Sequence, residues 1–177
     1  MLKKHSSAYS HFSFVDKFVA SELESLGLTG PFKLAPWDSV MLSPLMTAPK
    51  KPNSRRTVFD ASFGLYSLNK NNPENSYHET EYEFRFSKVD NLADMIAQLG
   101  PGCLLWKRNL SRFFLQLKVD PYEYNKLGFV WRSHLYLFVS FVWGCRHAGY
   151  VGQWLTTAVA YILAQLLIPI RASRGQK

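Results

Sequence analysis

The sequence predicts an α+β fold, a small antiparallel sheet backed by helices, on three observations. Residues 102–153 carry short apolar runs rich in Val, Phe, Tyr and Trp: Cys103 to Trp106, Phe114 to Val119, Leu127 to Trp131 and Leu135 to Trp143. Asp120-Pro121 and the polar break Arg132-Ser133-His134 cut them, so they read as strands and hairpins. Residues 43–69 place two further short runs, Pro44 to Ala48 and Thr57 to Phe59, around a polar turn. Residues 15–27 space their apolar side chains at helical intervals, and residues 91–99 read as a second, short helix.

In chain order, residues 1–14 are polar and aromatic with no clear period. Residues 15–27 put Val15, Phe18, Val19, Leu23 and Leu26 on one helix face, with Gly27 as the stop; such a face ordinarily covers a core. Residues 28–42, with Gly30-Pro31 and Ala35-Pro36-Trp37, read as a loop. The turn Lys50 to Arg56 then puts four cations, Lys50, Lys51, Arg55 and Arg56, at the tip of a hairpin. Charge runs of this kind are commonly solvated turns. The functional reading is a clamp, in which ammonium and guanidinium groups on a mobile hairpin close over phosphates. Residues 70–90 are a polar, acidic connection. Residues 91–99 form a short helix capped by Asp90 or Asn91 and ended by Gly100-Pro101-Gly102. Tyr150 to Ile170 is uncharged and long enough to cross a bilayer. Gln153, Thr156, Thr157, Gln165 and Pro169 lower its hydropathy, and a helix buried behind the sheet accounts for it as well.

The 177 residues are one domain's worth of chain, and 47% hydrophobic with 15% aromatic content excludes a disordered protein. A net charge of +8 favours a polyanionic partner, nucleic acid or an anionic membrane surface. Cys103 and Cys145 are too few for a disulfide framework and read as buried free thiols of a reducing compartment. Cys and His show no metal-ligand spacing, and no repeat or low-complexity tract occurs. Met1 to His5 is not followed by an apolar segment, so no signal peptide is expected and the location expected is intracellular, cytoplasm or nucleus.

The central stretch resembles the palm of a reverse transcriptase, most of all those of DIRS-type (tyrosine-recombinase) retrotransposons. That family shows K-x-D-L-S-x-A-F/Y-x-Q-L-x-V-x-P, then L-G-F-x-W, then L-P-F-G-x-R-x-A-P and a helix carrying Gln. This chain has Lys107-Arg108-Asn109-Leu110-Ser111-Arg112-Phe113-Phe114-Leu115-Gln116-Leu117-Lys118-Val119-Asp120-Pro121. It continues with Leu127-Gly128-Phe129-Val130-Trp131, Tyr136 and Phe141-Val142-Trp143-Gly144-Cys145-Arg146-His147-Ala148. Upstream, residues 43–69 resemble the family's fingers, S-P-x-x-x-x-P-K-K followed by R-x-I-x-D-x-S and S-V-N, and Gly30-Pro31-Phe32 matches its Gly-Pro-Phe. The resemblance implies a partial right-hand polymerase. Residues 1–27 are then an N-terminal extension with the amphipathic helix, about 28–101 the fingers and about 102–168 the palm, within a domain running to 177.

The family reaction is template-directed addition of deoxynucleotides to a primer 3′ end. The partners implied are an RNA–DNA or DNA template-primer and deoxynucleoside triphosphates, and the implied cofactor is Mg²⁺. The resemblance assigns Lys50 or Lys51 and Arg56 to the triphosphate, Phe114 to the sugar face, Gly144 to backbone approach at the base, and Gln153 to the following helix. Leu110 offers its backbone carbonyl to a metal, and Lys107 and Arg112 meet the nucleic-acid backbone. The family's first catalytic carboxylate falls on Asn109, and the usual Pro-Phe before the glycine is Val142-Trp143. Tyr/Phe-x-Asp-Asp does not occur, nothing after Glu123 is acidic, and the chain stops about where that hairpin begins. The expectation is a fragment without polymerase activity and without productive metal binding. The alternatives are a non-catalytic nucleic-acid-binding module and a small protein anchored in a membrane by residues 150–170.

Overall fold

The structure is a computed structural model that describes residues 5–64, 67–71, 88–105 and 110–172. It divides into two compact units: residues 1–76 with 112–148, and residues 77–111 with 149–177. The first holds helices α1 (Ser6–Ser10), α2 (Phe12–Glu24) and α3 (Leu68–Asn71) and strands β1 (Leu28–Phe32), β2 (Leu45–Lys51), β3 (Ser54–Phe59), β4 (Gly128–Trp131) and β5 (His134–Phe138). The second holds α4 (Val89–Leu99) and nearly all of α5 (Ala148–Ala172).

Helix α2 forms where the apolar spacing predicts, but it starts earlier, at Phe12, and α1 precedes it where no period was visible. Val15 and Val19 on its inner face are buried. It ends in a Schellman arrangement. The Gly27 N–H donates to the Glu22 carbonyl at 2.8 Å and the Leu26 N–H to the Leu23 carbonyl at 3.2 Å. The left-handed residue is Leu26, at φ 56°, one place before the glycine the sequence marks as the stop.

Strands β1, β5 and β4 form an antiparallel sheet in that order, and β2–β3 a separate antiparallel hairpin. The segment read as a loop, 28–42, therefore begins as a strand: Leu28 pairs with Phe138 and Thr29 with Leu137. Pro31 is accommodated because β1 is an edge strand, where a missing N–H breaks no ladder. The expected hairpin over residues 127–138 is present, with Phe129 opposite Tyr136 and Trp131 opposite His134. Its turn residues, Arg132 and Ser133, both take positive φ, at 47° and 64°. Primed turns of this kind match the twist of paired strands but normally select Asn or Gly. Here Asp16 of α2 holds the turn. It accepts from Arg132 Nε at 2.8 Å, from Arg132 Nη2 at 2.6 Å and from Trp131 Nε1 at 2.8 Å. The Arg132 hydrogen bond holds the Asp16 carboxyl below its ordinary range.

The core centres on Phe138, whose ring meets Phe18 of α2, Phe59 of β3 and Phe129 of β4 at centroid separations of 6.3, 5.4 and 5.4 Å. One side chain thus ties α2 and both sheets together.

Three strand expectations are corrected. Residues 113–116 of the alternating run form a single 3₁₀ turn, and pairing is confined to Leu117–Val119, which bonds to residues 139–141. A strand exists only where a partner backbone lies alongside, and backbone pairing in this run begins at Leu117. Residues Cys103 to Leu105 have no regular structure, with Leu104 and Leu105 exposed, and Trp106 lies outside the described residues. The third run stops pairing as a strand at Phe138, leaving isolated bridges at Ser140 and between Trp143 and Cys145. In the second unit, α4 runs from Val89 with Lys88 as its cap residue. The Asn91 side chain accepts the Lys88 N–H at 2.8 Å, and Gly100, φ 80°, ends the helix. The acidic connection, including Asn72-Pro73, falls mostly outside the described residues. Among the described residues no helix is long and apolar enough to cross a membrane.

Candidate functional site

The hairpin β2–β3 turns at Pro52-Asn53, with Asn53 at φ 60°, a conformation Asn tolerates. The four cations are therefore not in a loop at its tip, as expected; they sit on the strands. Lys50 is the extra residue of a bulge, since Pro49 pairs with Arg55 and Lys51 with Ser54. Arg56 lies opposite Ala48. Lys50, Lys51 and Arg56 are exposed, and among the described residues none of them has an ion-pair partner. Arg55 differs: its Nε donates to Thr47 Oγ1 at 3.1 Å and its Nη2 to the Thr47 carbonyl at 3.3 Å.

A cleft of about 310 Å³ opens beside this hairpin in the first unit. Arg56 and Phe59 of β3, Phe18 of α2, Arg112, Phe114 and Trp143 line it. Phe114 meets Trp143 edge to face, with centroids 5.1 Å apart, and Trp143 is 62% exposed. Such a wall offers an apolar face beside a free guanidinium, a combination suited to a ring that carries an anionic group.

Arg112 lines the same cleft, but its charge is engaged. Its Nη2 donates to Glu22 Oε2 at 2.5 Å and to Ser25 Oγ at 2.7 Å. The Glu22 side chain is only 6% exposed. Burial raises its pKa above the ordinary carboxylate range, opposed by the charges of Arg112 and Lys118. A buried carboxylate needs its counter-charge, so Arg112 has a structural duty at this point.

Gly144 is explained by packing. It has φ 107°, and a Cβ there would lie 2.8 Å from the Phe59 carbonyl oxygen. No other residue fits without moving β3. Asn69 fixes this turn. Its Nδ2 donates to the Gly144 carbonyl and to Ser62 Oγ, both at 2.8 Å, and its Oδ1 accepts the Arg146 N–H at 2.7 Å. Asn69 positions the wall that carries Trp143, and residue-type reasoning overlooked it. The signal was its place as the last residue of the S-V-N-like triplet.

Of the residues expected at the site, the cleft brings together Arg56, Arg112 and Phe114. Lys50 and Lys51 lie farther along the same hairpin. Leu110, 51% exposed, and Gln153, half-buried on α5, belong to the second unit. Lys107 and Asn109 lie outside the described residues. Cys103 and Cys145 are free and half-buried instead of fully buried, and burial pushes the Cys145 thiol up. Among the described residues no group of three or more His, Cys, Asp or Glu side chains is placed to hold a metal ion. Magnesium wants carboxylate oxygens, and position 109 carries an uncharged amide.

No family model and no curated protein matches the chain. Among the solved structures that resemble it are prototype foamy virus protease–reverse transcriptase as a selenomethionine-labelled CSH mutant, TM-score 0.54, and in native form, TM-score 0.51. Each is 17% identical over 82% of this chain, which spans only 17% and 16% of their lengths. The mixed helical and antiparallel fold of this chain is therefore that of one stretch of a retroviral protease–reverse transcriptase.

Proposed function

We propose that the chain is a reverse-transcriptase-like module of a retroelement, of the DIRS type by its motifs, that holds an RNA–DNA or DNA template-primer and an incoming nucleotide without completing nucleotide addition by itself. The observation that carries this reading is the cleft in which Arg56, without an ion-pair partner among the described residues, stands beside the rings of Phe114 and Trp143. Arg56 meets the phosphates, with Lys50 and Lys51 adding charge along the hairpin. Phe114 lies against the sugar, and Trp143 narrows the base side. The reading that this module does not turn over rests on Asn109, which brings an oxygen but no charge where the resemblance expects a carboxylate. The shared fold supports the reading at the level of architecture.

The test is binding of the purified chain to a labelled RNA–DNA hybrid across a salt series. Saturable binding is expected, with log affinity falling against log salt by about 0.7–0.9 for each phosphate contacted. Arg56→Gln should weaken binding and lower that slope by about one unit. A folded chain that does not bind at low salt, or an Arg56→Gln variant with an unchanged slope, rejects the reading. Metal-dependent primer extension by the unmodified chain would overturn the claim that it does not turn over.

A further inference from the structure

A second cleft, of about 350 Å³, lies on the first unit where the start of α2 meets the hairpin. It is lined by His11, Phe14, Lys51, Asn53 and Arg55 among others, and shares none of these with the aromatic cleft. Its chemistry is one-sided: an ammonium, a guanidinium, an imidazole and a phenyl ring face it, and no carboxylate does.

Its arginine is pre-set. An arginine on a hairpin is normally free to rotate, and ordering it upon binding costs side-chain entropy. Here Arg55 is fixed through Nε and Nη2 on Thr47. Thr47 is fixed in turn on α1, donating from Oγ1 to the Ser7 carbonyl at 2.9 Å and from its N–H to Ser7 Oγ at 3.2 Å. These bonds leave Arg55 Nη1 uncommitted. Neither Lys51 nor Arg55 has an ion-pair partner among the described residues, so within them the cleft carries two uncompensated positive charges. Phe14 is 37% exposed and has no ring partner among the described residues. An exposed ring beside two such cations in a concave site calls for a ligand with both a flat face and an anionic group. Stacking on Phe14 satisfies the first, and charge-assisted bonds from Lys51 and Arg55 satisfy the second. His11 Nδ1 is occupied by the Ser7 carbonyl at 3.1 Å, which leaves Nε2 for a further polar contact.

We propose that this cleft is a binding site for a nucleoside phosphate unit, its base on Phe14 and its phosphate between Lys51 and Arg55. The unit comes either as a free nucleotide or as one residue of a single strand. The site shares no lining residue with the aromatic cleft, and Phe14 and Arg55 belong to it alone, while Lys51 also adds charge along the hairpin in the reading given above.

The test uses the whole chain with adenosine 5′-monophosphate, inorganic phosphate and a ten-residue oligothymidylate as probes. Amide shifts followed by NMR locate binding, and titration gives affinities. Shifts are expected at residues 11–14 and 51–55, with the mononucleotide binding more tightly than phosphate alone. Phe14→Ala and Lys51→Gln, both exposed substitutions, are each expected to weaken binding about fivefold or more. A ten-residue strand that binds more than tenfold tighter than the mononucleotide, with steep salt dependence, identifies the source as a strand. Comparable affinities identify a free nucleotide. Absence of shifts in these two segments, or unchanged affinity in both variants with native folding, overturns the proposal.

Discussion

The two hairpins of the first unit use the same backbone geometry for opposite ends. In β4–β5 the side chains turn inward: Phe129 and Leu137 are wholly buried, and Trp131 and Phe138 nearly so. In β2–β3 the base is anchored by Leu45 and Phe59, while Lys50, Lys51 and Arg56 stand in solvent without ion-pair partners among the described residues. One hairpin is held by what it buries, and the other leaves its charge unspent. The difference separates residues that make the fold from residues free to meet a ligand. It also says that damage to the first should be read as loss of stability, and damage to the second as loss of binding.

The largest effect should come from the centre of the buried hairpin. Phe129 is 0% exposed and stacks on Tyr136 at 5.4 Å, with its ring also against Phe138. Phe129→Ala removes a large ring from a packed site and should cost about 3–5 kcal/mol, measured by urea unfolding. A cost under about 1 kcal/mol would mean that β4–β5 is not the anchor the packing makes it.

Asn69 tests the join between the two hairpins. Its carboxamide makes three hydrogen bonds, to Ser62, Gly144 and Arg146, and the residue is 9% exposed. Asn69→Ala removes three part-buried hydrogen bonds, those to Ser62 Oγ, the Gly144 carbonyl and the Arg146 N–H, and should cost about 1–2 kcal/mol. Because the same bonds hold the turn that carries Trp143, hybrid binding should weaken as well, at temperatures where the variant is fully folded. Loss of stability with intact binding would separate Asn69 from the cleft.

The buried hairpin was legible because its signal is local. Two apolar runs, Leu127 to Trp131 and one beginning at Leu135, close around the polar break Arg132-Ser133-His134 and mark hairpin and turn together. The run from Phe114 to Val119 shows why the rest was not. It alternates as a strand does, yet only Leu117 to Val119 finds a neighbouring backbone, and Phe114 turns instead against Trp143, 29 positions away. Strand β1 was missed for the converse reason: Gly30-Pro31 reads as a break, and only the edge position beside β5 makes it tolerable. At the site, Arg56 and Phe114 were recognisable by resemblance. The pairing of Arg112 with Glu22, 90 residues apart, and the fixing of Arg55 through Thr47 to α1 depend on tertiary contacts that no local pattern encodes.

The smallest effect on stability, and the sharpest on function, should come from the exposed cations of β2–β3. Replacing Lys50, Lys51 and Arg56 together with Gln breaks no ion pair among the described residues and uncovers no core. Surface changes away from caps and buried networks move stability little, so Tm should shift by roughly one or two degrees at most. Removing three positive charges from one strand pair also reduces repulsion among them, so the small shift can be upward. Hybrid binding should respond quite differently, with the salt dependence losing up to about three contacts' worth of slope. A large drop in Tm would mean that these charges belong to the fold, and the contrast between the hairpins would disappear. Unchanged Tm with unchanged binding would keep the contrast in packing but remove the phosphate-facing role from β2–β3.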